Sequence, residues 1–235
     1  MWRDETTYTQ YVRWLEWAER ELFLLNPPSV AAWSLNKLYI TELSIPGVRV
    51  PTTVRVQRST SISASMLENG WSHAVLKPAI GADGDLVVLV DGPRAAQLDT
   101  DGLPHSWCDW MLQEFVPGVR SRGEVSLVFV GGELLHAVLK RPSTGEWRVN
   151  SQFDPQPVEL TTVTIPPELI SGILDAVPTG WLYLRVDVVI DNDEVTLLEI
   201  ETGDPKLWFA LAPPTAAALA NAIDGEARQR LHAAR

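Results

Sequence analysis

Y-L-R-V-D-V-V-I-D-N-D-E-V-T-L-L-E-I-E-T-G-D-P-K-L-W-F, residues 183–209, is the stretch around which the rest of the chain is arranged. Val186, Val188 and Ile190 alternate with other residues, while Asp191, Asn192 and Asp193 supply turn chemistry, so the segment predicts two apolar strands joined as a hairpin. Side chains on a strand alternate between faces. Glu199 and Glu201 therefore share one face, and Asp187 on the paired strand can point there too. Three carboxylates that converge in a low dielectric repel one another and are tolerated chiefly around a hard cation. A solvated strand face is the competing reading.

Upstream, H-A-V-L-K (73–77) reads as a strand, P-A-I-G-A-D-G-D (78–85) as a loop and 86–90 as a second strand. Gly81 and Gly84 let backbone N–H groups close over a phosphate, and Lys77 adds positive charge at the base; an ordinary hairpin with a surface lysine uses the same letters. W-M-L-Q-E-F-V (110–116) reads as a buried strand broken by Pro117-Gly118. Such an end either offers backbone groups to a purine edge between aliphatic neighbours or is a plain strand terminus. Segments 124–130 and 133–139 flank Gly131-Gly132 as a two-residue hairpin requires. Lys140, Arg141 and Arg148 then sit in a polar segment that either holds anionic oxygens or is solvated.

The remaining elements follow from periodicity and breakers. Residues 7–25 predict an amphipathic helix stopped by Asn26-Pro27-Pro28. Ser29 and Ser34 are read as caps of short helices at 30–33 and 35–43, the second carrying Lys37, whose default place is in solvent. A strand at 50–56, a helix at 59–69 closed by Gly70, a polar helix and loop at 91–109, a strand at 158–165, and helices at 166–177 and 213–234 complete the chain.

The 235 residues suffice for one large or two small domains. With 19 Lys+Arg against 30 Asp+Glu, the chain is too acidic for a nonspecific grip on nucleic acid or anionic membrane, which leaves small-molecule chemistry. Cys108 is the single cysteine, no Cys/His cluster has zinc spacing, and neither a signal peptide nor a spanning run is visible, so a cytoplasmic location is expected. His73, His105, His136 and His232 form no triad and are assigned structural roles. Trp2, Trp14, Trp17 and Trp33 cluster near the front, as core or as a self-association surface.

Taken together, L-L-N-P-P-S-V-A-A-W-S-L-N-K-L-Y (24–39), V-L-K-P-A (75–79), G-E-V-S-L-V-F-V-G-G-E-L-L-H-A-V-L-K-R-P (123–142), W-R-V-N (147–150) and L-E-I-E-T-G-D-P-K-L-W-F (198–209) resemble the ATP-grasp superfamily of carboxylate ligases. The wording is similar in particular to the subgroup that includes the O-ureido-D-serine cyclo-ligase of D-cycloserine biosynthesis. The resemblance implies an α+β architecture, two α+β subdomains whose antiparallel sheets enclose the nucleotide, divided as a helical lead-in (1–50), a small subdomain (51–116) and a large one (117–235). It implies ATP and Mg2+, with Lys37 and Lys77 on the phosphates under the loop from Gly81 to Gly84. Glu114, Phe115 and Val116 match the adenine hinge, Glu124 the ribose side, and Asp187, Glu199 and Glu201 the magnesium ligands. Arg148 and Lys140 match the wall that meets the γ-phosphate or acyl phosphate, and Asp204 an acid near the substrate amine.

The chemistry so implied joins a carboxylate of a small, amino-acid-like substrate to an amine or related nucleophile through an acyl phosphate, with ADP as product. A nucleotide-binding subunit of reduced activity and a small-molecule kinase are the alternatives. Family members usually open with a further α/β domain. Here the chain begins almost on L-L-N-P-P, so the expectation is either a shortened gene or a homodimer or other chain that supplies that wall. T-G-D-P (202–205) also stands where a Glu-Pro pair is commoner.

Overall fold

The structure is a computed structural model that describes residues 4–104 and 106–233. Trp2, His105 and Ala234, on which readings above fall, lie outside the described residues. Helix α1 (Glu5–Glu21) is capped by Asp4, whose carboxylate accepts the Thr7 N–H at 2.8 Å, and α2 (Pro28–Leu35) starts on a proline whose missing donor costs nothing there. A 3-10 turn (Lys37–Glu42) leads to β1 (Val48–Arg49). The chain continues with β2 (Thr53–Val56), α3 (Ile62–Glu68), β3 (His73–Pro78), β4 (Val88–Asp91), α4 (Gly92–Ala95) and β5 (Trp110–Glu114). After α5 (Gly118–Ser121) the chain forms β6 (Glu124–Val130), β7 (Glu133–Lys140), β8 (Val158–Thr161), α6 (Pro167–Asp175), β9 (Tyr183–Asp191), β10 (Glu194–Glu201) and α7 (Pro213–Ala233).

Two sheets result. The smaller has the order β2-β5-β3-β4 and is antiparallel throughout. Ala74 and Leu76 face a core with Ile62, Met66 and Trp110, so the period of two leaves Val75 and Lys77 on the opposite face. The larger has the order β1-β10-β9-β6-β7-β8, antiparallel except where β1 joins β10. Leu127, Val186, Val188, Leu197 and Ile200 bury one of its faces under Val30 and Tyr39 from the N-terminal segment and Ile173 from α6. The segment before residue 51 thus packs on the large sheet and adds an edge strand to it. The turn between β6 and β7 needs positive φ at both centres, and Gly131 and Gly132 adopt +59° and +87°. No helix of the described residues is long and apolar enough to cross a membrane.

Several local expectations shift. Helix α1 ends four residues before its predicted limit at 25, because Leu22 turns extended and Asn26 is needed elsewhere. The buried Asn26 amide donates to the carbonyls of Tyr183 and Thr202, both at 2.8 Å, and accepts the Leu182 and Tyr183 N–H groups at 2.8 and 3.3 Å. One side chain thereby ties the start of β9 to the end of β10. Replacing Asn26 with Ala orphans these buried groups and is expected to cost about 1–3 kcal/mol for the stranded partners. Chemical denaturation reads this, and a variant as stable as the parent sinks the assignment. Ser29 and Ser34 do not cap; Pro27 and Asn36 hold those positions. Ser34 instead sits 2.8 Å from the Thr202 hydroxyl, fixing α2 to the end of β10. Of the tryptophans, Trp14 and Trp17 are exposed on α1, and Trp33 packs on Tyr39 with ring centroids 4.2 Å apart.

Candidate active site

A cleft of about 360 Å³ lies between the free faces of the two sheets. From the small sheet, the Lys77 ammonium donates to Gln113 Oε1 at 3.0 Å, and Gln113 is itself oriented by donating to Thr53. Burial pushes Lys77 down to about 8, against the pull of Glu199 and with the push of Lys37. Lys37 is not solvated as its helical default suggested. Its ammonium donates to the Gly81 carbonyl at 2.7 Å and pairs with Glu199 at 3.2 Å, so it bridges the glycine loop to β10.

The large sheet presents its charges in cross-strand rows. Ser126, Asp187 and Glu199 stand opposite one another on β6, β9 and β10; Arg185 stands opposite Glu201, and Glu124 opposite Lys140. The Ser126 hydroxyl donates to Asp187 at 2.5 Å, and Arg185 reaches the same carboxylate at 2.8 Å and Glu201 at 2.7 Å. Lys140 pairs with Glu124 and lies 3.5 Å from Asp187. Burial acts to raise Asp187, but Arg185, Lys140 and the Ser126 hydroxyl outweigh it and hold the group well below the usual carboxylate range. At Glu199 burial is likewise outweighed, by Lys37 and Lys77, and the group is lowered. At Glu201 burial wins over Arg185 and raises the carboxyl to about 7. Burial also raises Glu124, despite Lys140, and Asp204.

The expected trio therefore shares a face, but its members do not close on one point: among the described residues no group of three His, Cys, Asp or Glu is spaced to hold a cation. The reason is that Arg185, Lys140 and Lys37 have taken the carboxylates as ion-pair partners. The donor set still suits magnesium in kind, being hard, buried oxygen. Glu201 Oε2 in particular is sealed from solvent and, although 2.7 Å from Arg185, lies off the line of any hydrogen bond.

Beside the charges runs an aliphatic slot of Val116, Val119, Val149 and Leu198. A bulge between Leu197 and Glu199 turns Leu198 towards the cleft while Leu197 and Ile200 stay in the core. The Tyr39 hydroxyl, which accepts the Ile200 N–H at 2.6 Å, pins the strand just beyond the bulge. At the end of β5 the Glu114 carboxylate is tied back to Arg49 at 2.6 Å, and Phe115 is buried with its ring edge-on to Trp147 at 5.9 Å.

The basic segment closes the cleft from the far side. Arg148 forks onto Glu146 at 2.8 and 3.0 Å, stacks 3.7 Å over Phe153 and donates to the Val87 carbonyl at 3.2 Å. Those hydrogen bonds hold the Glu146 carboxyl down at about 2. Gln152 donates to the Asp83 carbonyl, and Gly84, at φ +71°, passes so near Asn150 that a Cβ would lie 2.6 Å from its Oδ1. The left-handed backbone favours glycine there, and any side chain would have to displace that of Asn150. Asp204 follows β10 on the cleft's open flank.

A family model for the prokaryotic glutathione synthetase ATP-grasp domain matches residues 36–206, well over half the chain. This chain belongs to that family. The ATP-grasp resemblance and the α+β architecture with antiparallel sheets are borne out. Among curated relatives, a glutathione synthetase of Prochlorococcus marinus is 32% identical over 190 residues, which is 74% of this chain and 56% of the relative. A probable alpha-L-glutamate ligase 2 of Pseudoalteromonas atlantica is 23% identical over 183 residues, 77% of this chain and 60% of the relative. The chain thus spans little more than half the length of these relatives.

Among solved structures, the D-cycloserine synthetase DcsG superposes with a TM-score of 0.76 at 21% identity, covering 94% of this chain and 80% of that one. A D-alanine–D-alanine ligase of Bacillus anthracis gives 0.57 at 14% identity, covering 85% and 68%. These share the ATP-grasp fold. ATP-grasp ligases use ATP with magnesium in general, and an ATP-grasp ligase solved with Mg and ADP is among the neighbours. Sequence reasoning passed over Arg185, Gln113 and Ser126, all of which hold charged members of the site in place. For Arg185 the signal was present, since it stands two residues before Asp187 and so on the same strand face.

Proposed function

We propose that this ATP-grasp chain is an ATP-dependent ligase that joins the carboxylate of a small, amino-acid-like substrate to an amine or related nucleophile. The observation that supports it is that one cleft is lined both by Lys37 and Lys77 and by Asp187, Glu199 and Glu201. That arrangement suits a nucleotide's phosphates on one side and a divalent cation on the other. In this reading the base lies in the slot of Val116, Val119, Val149 and Leu198, with the backbone of Glu114, Phe115 and Val116 at its edge and Glu124 towards the ribose. The loop from Gly81 to Gly84 covers the phosphates and is held shut by Arg148 through Val87.

A carboxylate oxygen of the substrate attacks the γ-phosphorus as the bond to ADP breaks, and the acyl phosphate so formed is attacked by the amine nitrogen. Phosphate then leaves, and the proton shed by nitrogen passes to a nearby base, for which the Asp204 carboxylate is placed. Arg185 and Lys140 hold Asp187 in position, and with Lys37 and Lys77 they offset negative charge gathering on phosphoryl oxygen. Asp187, Glu199 and Glu201 would be the residues to hold magnesium once their ion pairs loosen, and the ion would supply Lewis-acid charge neutralisation there.

The test is ADP release with an amino-acid panel, with hydroxylamine present to trap the activated acyl group as a hydroxamate. ADP and hydroxamate are expected, and AMP with pyrophosphate overturns the reading. A phosphorylated acid released unchanged, with no hydroxamate, identifies a kinase. Lys77 adds a pH signature. Because kcat/KM reports ionisations of the free enzyme, kcat/KM for ATP should fall as pH rises through about 8 and Lys77 loses its proton. In Lys77→Met the ATP requirement should rise and this limb should vanish; a limb that persists assigns the ionisation elsewhere.

A further inference from the structure

The loop that begins at Gly81 has a backbone that needs outside support. Asp83 and Leu86 both sit at φ +58° and Gly84 at +71°, so two residues with side chains adopt the left-handed conformation that persists only where the surroundings over-determine it. The far end is gripped by Gln152 on the Asp83 carbonyl and Arg148 on that of Val87. The root is gripped from the N-terminal side. The Lys37 backbone N–H donates to the Ala79 carbonyl at 2.9 Å, and its ammonium to that of Gly81 at 2.7 Å. Between these two bonds Ile80 is buried with Leu35 of α2, in a cluster that Tyr8 and Tyr11 of α1 join together with Ala82, Trp107 and Cys108. The Tyr8 ring lies 5.4 Å from that of Trp107.

The spacing of α1 suits this contact. Tyr8, Tyr11, Leu15 and Ala18 recur at three- and four-residue steps and so share one face; Leu15 and Ala18 are buried, which seats the helix and lays its first turns against the loop root. The helix precedes residue 36, where the match to the family begins, so the family's domain does not account for it. We propose that α1 is a brace for the phosphate-covering loop: Tyr8 and Tyr11 fix its root at Ile80, and this sets how tightly a nucleotide's phosphates are held beneath it. This rests on reading the cleft as a nucleotide site and makes Tyr8 and Tyr11 positioning residues that act through Ile80. A loop already ordered in its bound conformation loses less conformational entropy when the ligand arrives, so the brace raises affinity without touching the nucleotide.

The test is hydrogen exchange of the full chain, read at the peptide covering 79–87, where the Ala79, Asp85 and Val87 N–H groups donate to the Asp109, Ala82 and Gly84 carbonyls. Mg-ADP affinity is measured by calorimetry on the same proteins. Tyr8→Ala combined with Tyr11→Ala should speed exchange at 79–87 about tenfold, leave peptides from β6 and β9 at the parent's rate, and weaken Mg-ADP about tenfold. Tyr8→Phe with Tyr11→Phe keeps both rings and should behave as the parent. Trp17→Ala, on the exposed side of the same helix, should move neither reading. Should the double alanine variant not fold, Tyr11→Ala alone carries the comparison, at about threefold. The brace is overturned by exchange at 79–87 that stays at the parent's rate, by a rise shared equally along the chain, or by an unchanged Mg-ADP affinity while the loop loosens. A parent that binds no Mg-ADP overturns the nucleotide reading and the effect on affinity with it, whereas accelerated exchange confined to 79–87 still establishes α1 as the support of this loop.

Discussion

Glu199→Gln should slow ADP formation by about two to three orders of magnitude, the size of effect known for loss of one donor to a developing oxyanion, because a weakened magnesium ligand takes away the cation that offsets phosphoryl charge. The change is nearly isosteric, so any effect comes from charge. Two functions of that charge end together: the pairing with Lys37 at 3.2 Å, which holds the glycine loop to β10, and the carboxylate available to magnesium. Glu199 is lowered in pKa by Lys37 and Lys77 despite its burial, so it is ionised at neutral pH and the substitution removes a full negative charge. Stopped-time ADP assays at saturating Mg-ATP, paired with thermal unfolding, separate chemistry from folding. A variant that makes ADP at the parent's rate removes Glu199 from the site. One that is merely unfolded shows itself in the melting curve.

How much of this was legible in the sequence depended on whether a signal was local. The hairpins read well because alternation and turn residues lie within a few positions: 124–130 and 133–139 around Gly131-Gly132 agree with β6 and β7 to within a residue. The face shared by Asp187, Glu199 and Glu201 also follows from the period of two, helped by the bulge that opposes Glu199 to Asp187. What failed was long-range. Lys37 looks like a solvated helical lysine until Gly81 and Glu199, 44 and 162 residues away, are brought to it. Ser34 looks like a helix cap until Thr202 occupies its hydroxyl. The carboxylates looked like a bare cluster because their partners, Arg185 apart, come from other elements. The strained glycine loop gave no sign at all, since the left-handed backbone of Asp83 and Leu86 is not written in A-D-G-D-L.

Arg185→Met tests the charge balance that keeps the carboxylate face folded. Arg185 is mostly covered, with 13% of its side chain exposed, between Asp187 and Glu201, and Asp187 is among the most enclosed charges of the described chain. Removing one partner of a buried pair leaves the other without compensation, at about 3–5 kcal/mol. For a chain of this length that corresponds to a fall in Tm on the order of 10 °C. Arg185→Lys keeps a charge in reach and should recover part of it, though the bidentate fork onto Asp187 is lost. Magnesium distinguishes a metal face from a merely structural ion-pair network. If Asp187, Glu199 and Glu201 hold the cation, Mg2+ should raise the Tm of Arg185→Met more than that of the parent, because the ion takes over charge that the arginine no longer offsets. A Tm within about 2 °C of the parent would mean that the carboxylates escape to water and that the face is not closed. A large loss with no response to Mg2+ would keep Arg185 as a structural cation and take the metal away from this trio.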